Sequence, residues 1–194
     1  MILRIGWGIV VAVTVSPPVD PFLDASMSRH MLLQMPLLVG LGYAAASIWP
    51  IPRCRLAPLG LSCIFFAMGS LLFWMLPRSL DTAVTVAWVD QIMHANMLLA
   101  GGSLAIGLPR LSFHTKMACG VYSLAMTMTA GVVYTVASVP VCSTYSLQQQ
   151  NDAGALLFRI GIVIFVALVG RGAFLLRSYG DSDPNSRAAP QPGN

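Results

Sequence analysis

Six mostly apolar stretches, separated by short polar breaks, run along the chain: residues 5–15, 30–49, 57–76, 84–108, 117–139 and 153–176. Each of the last five has roughly 20 residues or more, the length a helix needs to cross a hydrocarbon core of about 30 Å. Their apolar runs are continuous, whereas barrel strands alternate apolar and polar residues. The pattern predicts an all-α fold, a polytopic transmembrane helix bundle with six hydrophobic segments. The first segment differs from the rest. It holds about a dozen apolar residues between Arg4 and Ser16-Pro17-Pro18, which suits a signal-peptide core as well as a helix. It is read as a retained helix. A cleaved signal is the alternative and would leave five segments.

The breaks between segments set the orientation. Arg4, Arg53, Arg55, Arg110, Lys116, Arg177 and Arg187 fall on one side, whereas residues 77–83 carry only Arg78 and residues 141–152 carry no Lys or Arg. Cytoplasmic loops carry the excess of Lys and Arg, so both termini are expected in the cytoplasm and loops 17–29, 77–83 and 140–152 outside. The polar stretch from Ser178 is expected to be a disordered cytoplasmic tail, dividing the chain into a bundle at 1–177 and a tail at 178–194. Composition agrees: 56% of residues are hydrophobic and 9% charged, against about 25% charged in soluble domains. Mean hydropathy is +0.74. The lipid bilayer is therefore the expected solvent. The net charge of +4 is spread over the loops, which argues against nucleic acid as a partner.

No nucleophile elbow, phosphate-binding loop or glycine-rich dinucleotide turn is present, and the chain is not expected to be an enzyme. Cys54, Cys63, Cys119 and Cys142 form no C-x-x-C pair, which removes the usual zinc and thiol-redox patterns. The histidines are more informative. His114 falls in a loop, but His30 opens the second segment and His94 lies inside the fourth. A histidine within a span is costly in lipid and marks a functional-site hypothesis. Helical spacing puts Met27, His30 and Gln34 on one face and Asp90, His94 and Met97 on another, with Met31, Met35 and Met93 nearby. Both stripes lie in the outer half of the membrane. Imidazole with thioether favours copper, Cu(I) in particular. The candidate metal ligands are His30, His94, Met27, Met97 and Met31. Asp90 either orients the His94 ring or pairs with Arg159, which lies at similar depth in the sixth segment, and Gln34 completes the polar surroundings. Haem is an alternative cofactor, with His30, His94 or Met97 as axial ligands. So is no cofactor, with the methionines as core and the histidines satisfied by Asp90, Gln34 or backbone. Asp152 is expected to cap the sixth helix.

The run Met27-Ser28-Arg29-His30-Met31-Leu32-Leu33-Gln34-Met35-Pro36-Leu37-Leu38 resembles the signature of CtaG-type membrane proteins, roughly H-M-x-Q-H-M-L-L followed by apolar residues and a proline. Asp90-x-x-x-His94 resembles that family's acid–histidine helix, and Asp152-Ala153-Gly154-Ala155-Leu156 its last motif, D-Q-x-x-G-G. Phe73-Trp74-Met75-Leu76-Pro77-Arg78 is similar to a loop in related small membrane proteins. Ser26 and Arg29 stand where the family has its first histidine and its glutamine. The resemblance implies assistance to cytochrome c oxidase assembly through copper handling on the periplasmic side of a bacterial inner membrane, with oxidase subunits of the respiratory chain as partners.

Overall fold

The computed structural model describes residues 2–14, 16, 19–48 and 57–180. Helix dominates, and no strand occurs among the described residues. The first part comprises α1 (Ile2–Thr14), α2 (Asp20–Asp24) and α3 (Met27–Arg29), which passes through a π-turn at His30–Gln34 into α4 (Met35–Ile48). Then come α5 (Ala57–Trp74), α6 (Pro77–Thr85), α7 (Ala87–Gly107), α8 (Phe113–Val136) and α9 (Leu147–Gly180). Met27–Ile48, Ala87–Arg110, Phe113–Val136 and Leu147–Ala173 are each long and apolar enough to cross a membrane, and α5 with α6, bent by 74°, forms a fifth candidate. Leu99, Val163 and Val166 are exposed on the outer faces of these helices, the surface a lipid-solvated bundle presents.

The segment boundaries shift in three places. The first segment forms α1, whose 13 residues reach only about 20 Å. It lies against α4, with Trp7 Nε1 donating to the Leu41 carbonyl at 2.8 Å. Residues 77–83, expected as a loop, are helical instead. Pro77 occupies the first turn of α6, where its missing N–H costs nothing. Extended backbone at Val86 (φ −125°, ψ 102°) then separates α6 from α7. The last helix starts at Leu147 rather than near Ala153. Ser146 Oγ accepts from Gln149 N and Gln149 Oε1 accepts from Ser146 N, both at 3.3 Å, a reciprocal capping box. Asp152, expected as the cap, therefore lies inside the helix and accepts from Gln148 at 3.0 Å. Residues 178–180 continue α9, and the rest of the predicted tail lies outside the described residues.

Two close-packed groups make up the bundle. In the first, α7 lies against both α4 and α5. A Cβ on Gly42 would collide with the Leu98 carbonyl, and one on Gly101 with the Val39 carbonyl. Small residues at such crossings let backbones approach where lipid supplies no hydrophobic force. In the second group, α8 and α9 form a hairpin. Here a Cβ on Gly131 would lie 2.9 Å from the Gly154 carbonyl oxygen, and one on Gly154 2.7 Å from that of Gly131.

The groups are pinned together at one end, the end that carries α2, α6 and residues 137–146. Tyr134 Oη donates to the Met75 carbonyl and Tyr145 Oη to the Asp24 carbonyl, each at 2.9 Å. Asp81 accepts from Ser143 N at 2.6 Å, Ser143 Oγ at 2.9 Å and Thr144 N at 3.1 Å. Gln150, fully buried, braces the same loop through Val141 N, the Cys142 carbonyl and the Tyr145 carbonyl.

Candidate metal centre

The pinned end also gathers the polar residues of the first group. Met35 N–H bonds the His30 carbonyl, five residues back, to make the π-turn. Pro36 follows and has no N–H to return to Leu32, so the backbone ladder is already interrupted there. Widened turns of this kind occur often at functional sites. This one keeps Met27, His30, Met31, Gln34 and Met35 all buried. On α7, Asp90, Met93, His94 and Met97 are buried, and the α4–α7 contact brings the two stripes face to face.

His94 is the hub. Its Nδ1 lies 2.9 Å from the Asp90 carbonyl oxygen and 3.2 Å from Asp90 Oδ2. Both are acceptors, so the network assigns the proton to Nδ1. Nε2 then accepts from Gln34 Nε2 at 3.0 Å and lies 3.1 Å from Asp20 Oδ1. Gln34 Nε2 also donates to Asp20 Oδ1 at 2.8 Å. A lone pair and a carboxylate oxygen at that separation repel unless a proton or a cation lies between them. Asp20, Asp90 and His94 each present a ligand atom within 4.8 Å of the others.

His30 forms a second pair. Its Nδ1 is 2.6 Å from Asp24 Oδ1. With that nitrogen donating to the carboxylate, Nε2 is left as a buried acceptor. His30 Nε2, Gln34 Oε1 and Asp90 Oδ1 are all buried without a hydrogen-bond partner. An unsatisfied buried polar atom costs about 1–3 kcal/mol. The three share one character, since each offers electron density and none offers a proton. Beside them are the carboxylates of Asp20 and Asp24 and the imidazole of His94, so the group is rich in acceptors. Asp20, which lies outside the membrane-spanning helices, responds to this. Burial, then Asp90 and Asp24, push its pKa up to about 6 against the opposing pull of His94.

The structure brings Gln34, His94 and Asp90 together across the two stripes, with His30 on the Gln34 stripe paired to Asp24. Met27, Met31 and Met97 are buried in one apolar cluster with Met35 and Met93. The suggested pairing of Asp90 with Arg159 is corrected. Asp90 faces His94, whereas Arg159 is exposed on α9, a helix whose partners are α8 and α3. Asp20 and Asp24 are absent from the sequence-based set, where they belong to an outer loop. Their signal is local: Asp20 and Asp24 stand four apart around Pro21, which opens α2 and puts both acids on one helical face. The buried Leu23 holds α2 over the spans.

The donor set is nitrogen and carboxylate oxygen, which suits Cu(II) or Zn(II) and is less suited to Cu(I) than thioethers are. Copper, as the resemblance implies it, fits these residues in its divalent form. No family model, curated protein or solved structure matches the chain, so the likeness to CtaG-type proteins stands on the residues that carry it.

Proposed function

We propose that this protein holds a divalent transition metal, copper by the resemblance of residues 27–38, at the pinned end of its bundle, and that it serves cytochrome c oxidase assembly by handling that metal on the periplasmic side of the inner membrane. The observation that carries the reading is the set of buried acceptors, His30 Nε2, Gln34 Oε1 and Asp90 Oδ1, beside the Asp20–Asp90–His94 group. Asp20, Asp90 and His94 would hold the ion, which when bound neutralises the charge of the carboxylates. Asp90 fixes the His94 ring through Nδ1, and an ion would take the position at His94 Nε2 that Gln34 Nε2 now occupies. Gln34 aligns Asp20 with His94 Nε2. Asp24 does for His30 what Asp90 does for His94, which leaves His30 Nε2 as a further donor. No bond of a substrate is made or broken in this role. Delivery to the oxidase rests on the resemblance alone.

The test is metal analysis and a visible spectrum on protein purified in mild detergent, before and after loading with copper or zinc, with the Asp20→Asn, His94→Ala double variant in parallel. Stoichiometric metal in the wild type, held roughly 100-fold more weakly or not at all in the variant, is expected. A Soret band would replace the reading with a haem protein. A wild type that stays metal-free after loading would overturn it.

A further inference from the structure

Between the two helix groups lies a cleft of about 560 Å³, a size typical of small-molecule sites. Met31 borders it beside α4, Met68 and Met75 on the α5 side, Met126 on α8 and Ile160 on α9. On α8 its lining extends from Tyr122 to Tyr134, about 18 Å of helix. That matches one leaflet of a hydrocarbon core about 30 Å thick. The α5, α8 and α9 lining residues fall toward the pinned end, so the cleft occupies the half of the bundle beneath the carboxylate–imidazole group.

Its wall is mostly apolar. No charged residue or histidine lines it. Three of its five hydroxyls are committed: Thr127 donates to the Ser123 carbonyl, Thr129 to the Ala125 carbonyl and Tyr134 to the Met75 carbonyl. Five of the chain's eleven methionines line it, and methionine adapts its shape to flexible apolar partners. Each group is held internally by glycine contacts, and among the described residues the hydrogen bonds given between the groups lie at the pinned end.

We infer that the cleft is a binding site for a single hydrocarbon chain of a bilayer amphiphile, lying along α8 beneath the candidate metal centre. Two sources supply such a chain, the acyl tail of a phospholipid and the isoprenoid tail of a membrane quinone. An empty cleft would forfeit dispersion contacts along its whole lining, and a chain entering sideways from the bilayer restores them without desolvating any charged group.

Native mass spectrometry of the full-length wild type, delipidated in detergent and then offered a phosphatidylethanolamine and a long-chain ubiquinone in separate arms, tests this. One molecule per protein should survive the activation that strips surface lipid, and the arm that retains it identifies the source. Met126→Trp and Ala130→Trp, which fill the cleft, should bind roughly tenfold more weakly. Val132→Trp, on the exposed face of α8, should bind as wild type does. A wild type that retains neither amphiphile overturns the inference, a result that needs no variant to fold. So does retention unchanged in both cleft-filling variants.

Discussion

The α4–α5–α7 group and the α8–α9 hairpin use the same packing device and reach opposite chemistries. Both are held by glycines that bring backbones into contact. In the hairpin, the threonines close on their own helix: the hydroxyls of Thr127, Thr129 and Thr135 each bond the carbonyl four residues earlier. In the first group the polar side chains are Asp90, His94, His30 and Gln34, which no single helix can satisfy. They need α2 to supply Asp20 and Asp24. Polar residues that close on themselves make the apolar wall of a cleft. Polar residues that must look elsewhere make a site.

The strongest way to break the comparison is at the crossings. Gly101→Leu drives a side chain into the Val39 backbone and should cost about 3 kcal/mol, measured by SDS-titrated unfolding in mixed micelles. Gly154→Leu should cost a similar amount from the hairpin side. Gly69→Ala, where a Cβ meets nothing within 4 Å, should stay within about 1 kcal/mol of wild type. Equal losses at Gly69 and Gly101 would mean that the crossings do not hold the groups.

A smaller effect sharpens the site. Asp20 is raised to about 6, so the folded protein holds its proton more tightly than the unfolded chain does. Asp20's contribution to the stability of the metal-free protein should therefore be greatest below about pH 4 and decline as pH rises to about 6. Above that window this contribution is constant. Asp20→Asn should flatten that slope relative to wild type in unfolding titrations across the range. An unchanged slope would place the titration elsewhere.

The smallest effect lies at the hinge between groups. Cys142 is buried, and burial, then Asp81, push its thiol up to about 11. It should resist alkylation at neutral pH, because the thiolate is the reactive form. Asp81→Ala removes the acceptors that pin Ser143 and Thr144, so Cys142 should label about tenfold faster and the two amides exchange faster. Mass spectrometry resolves both. Unchanged labelling would show that Gln150 alone holds the loop.

The spans were legible because a bilayer demands about 20 continuous apolar residues, a one-dimensional condition that any window along the chain can test. The two stripes were legible for a related reason. Spacing of three and four residues survives the π-turn well enough to keep His30 and Gln34 on the buried face of their helix. The bend after Trp74 and the early start of α9 were harder to place. Pro77 and the Ser146–Gln149 box are short local signals within stretches that hydropathy alone marks as breaks. Asp20 and Asp24 were illegible as site residues, since an acid in an outer loop is ordinarily solvated. Only the packing of α2 takes them from water.

By itself, then, the sequence determined the solvent, the helical class, the approximate spans and two faces bearing histidine. These follow from composition and period, which are local. The tertiary structure decided that those faces meet, that Asp20 and Asp24 join them while Arg159 does not, and that a methionine-lined cleft separates two groups of helices. Each of these depends on which backbones touch. In lipid that is set by a few glycine crossings and by hydrogen bonds between residues as far apart in the chain as Asp24 and Tyr145, which no local pattern encodes.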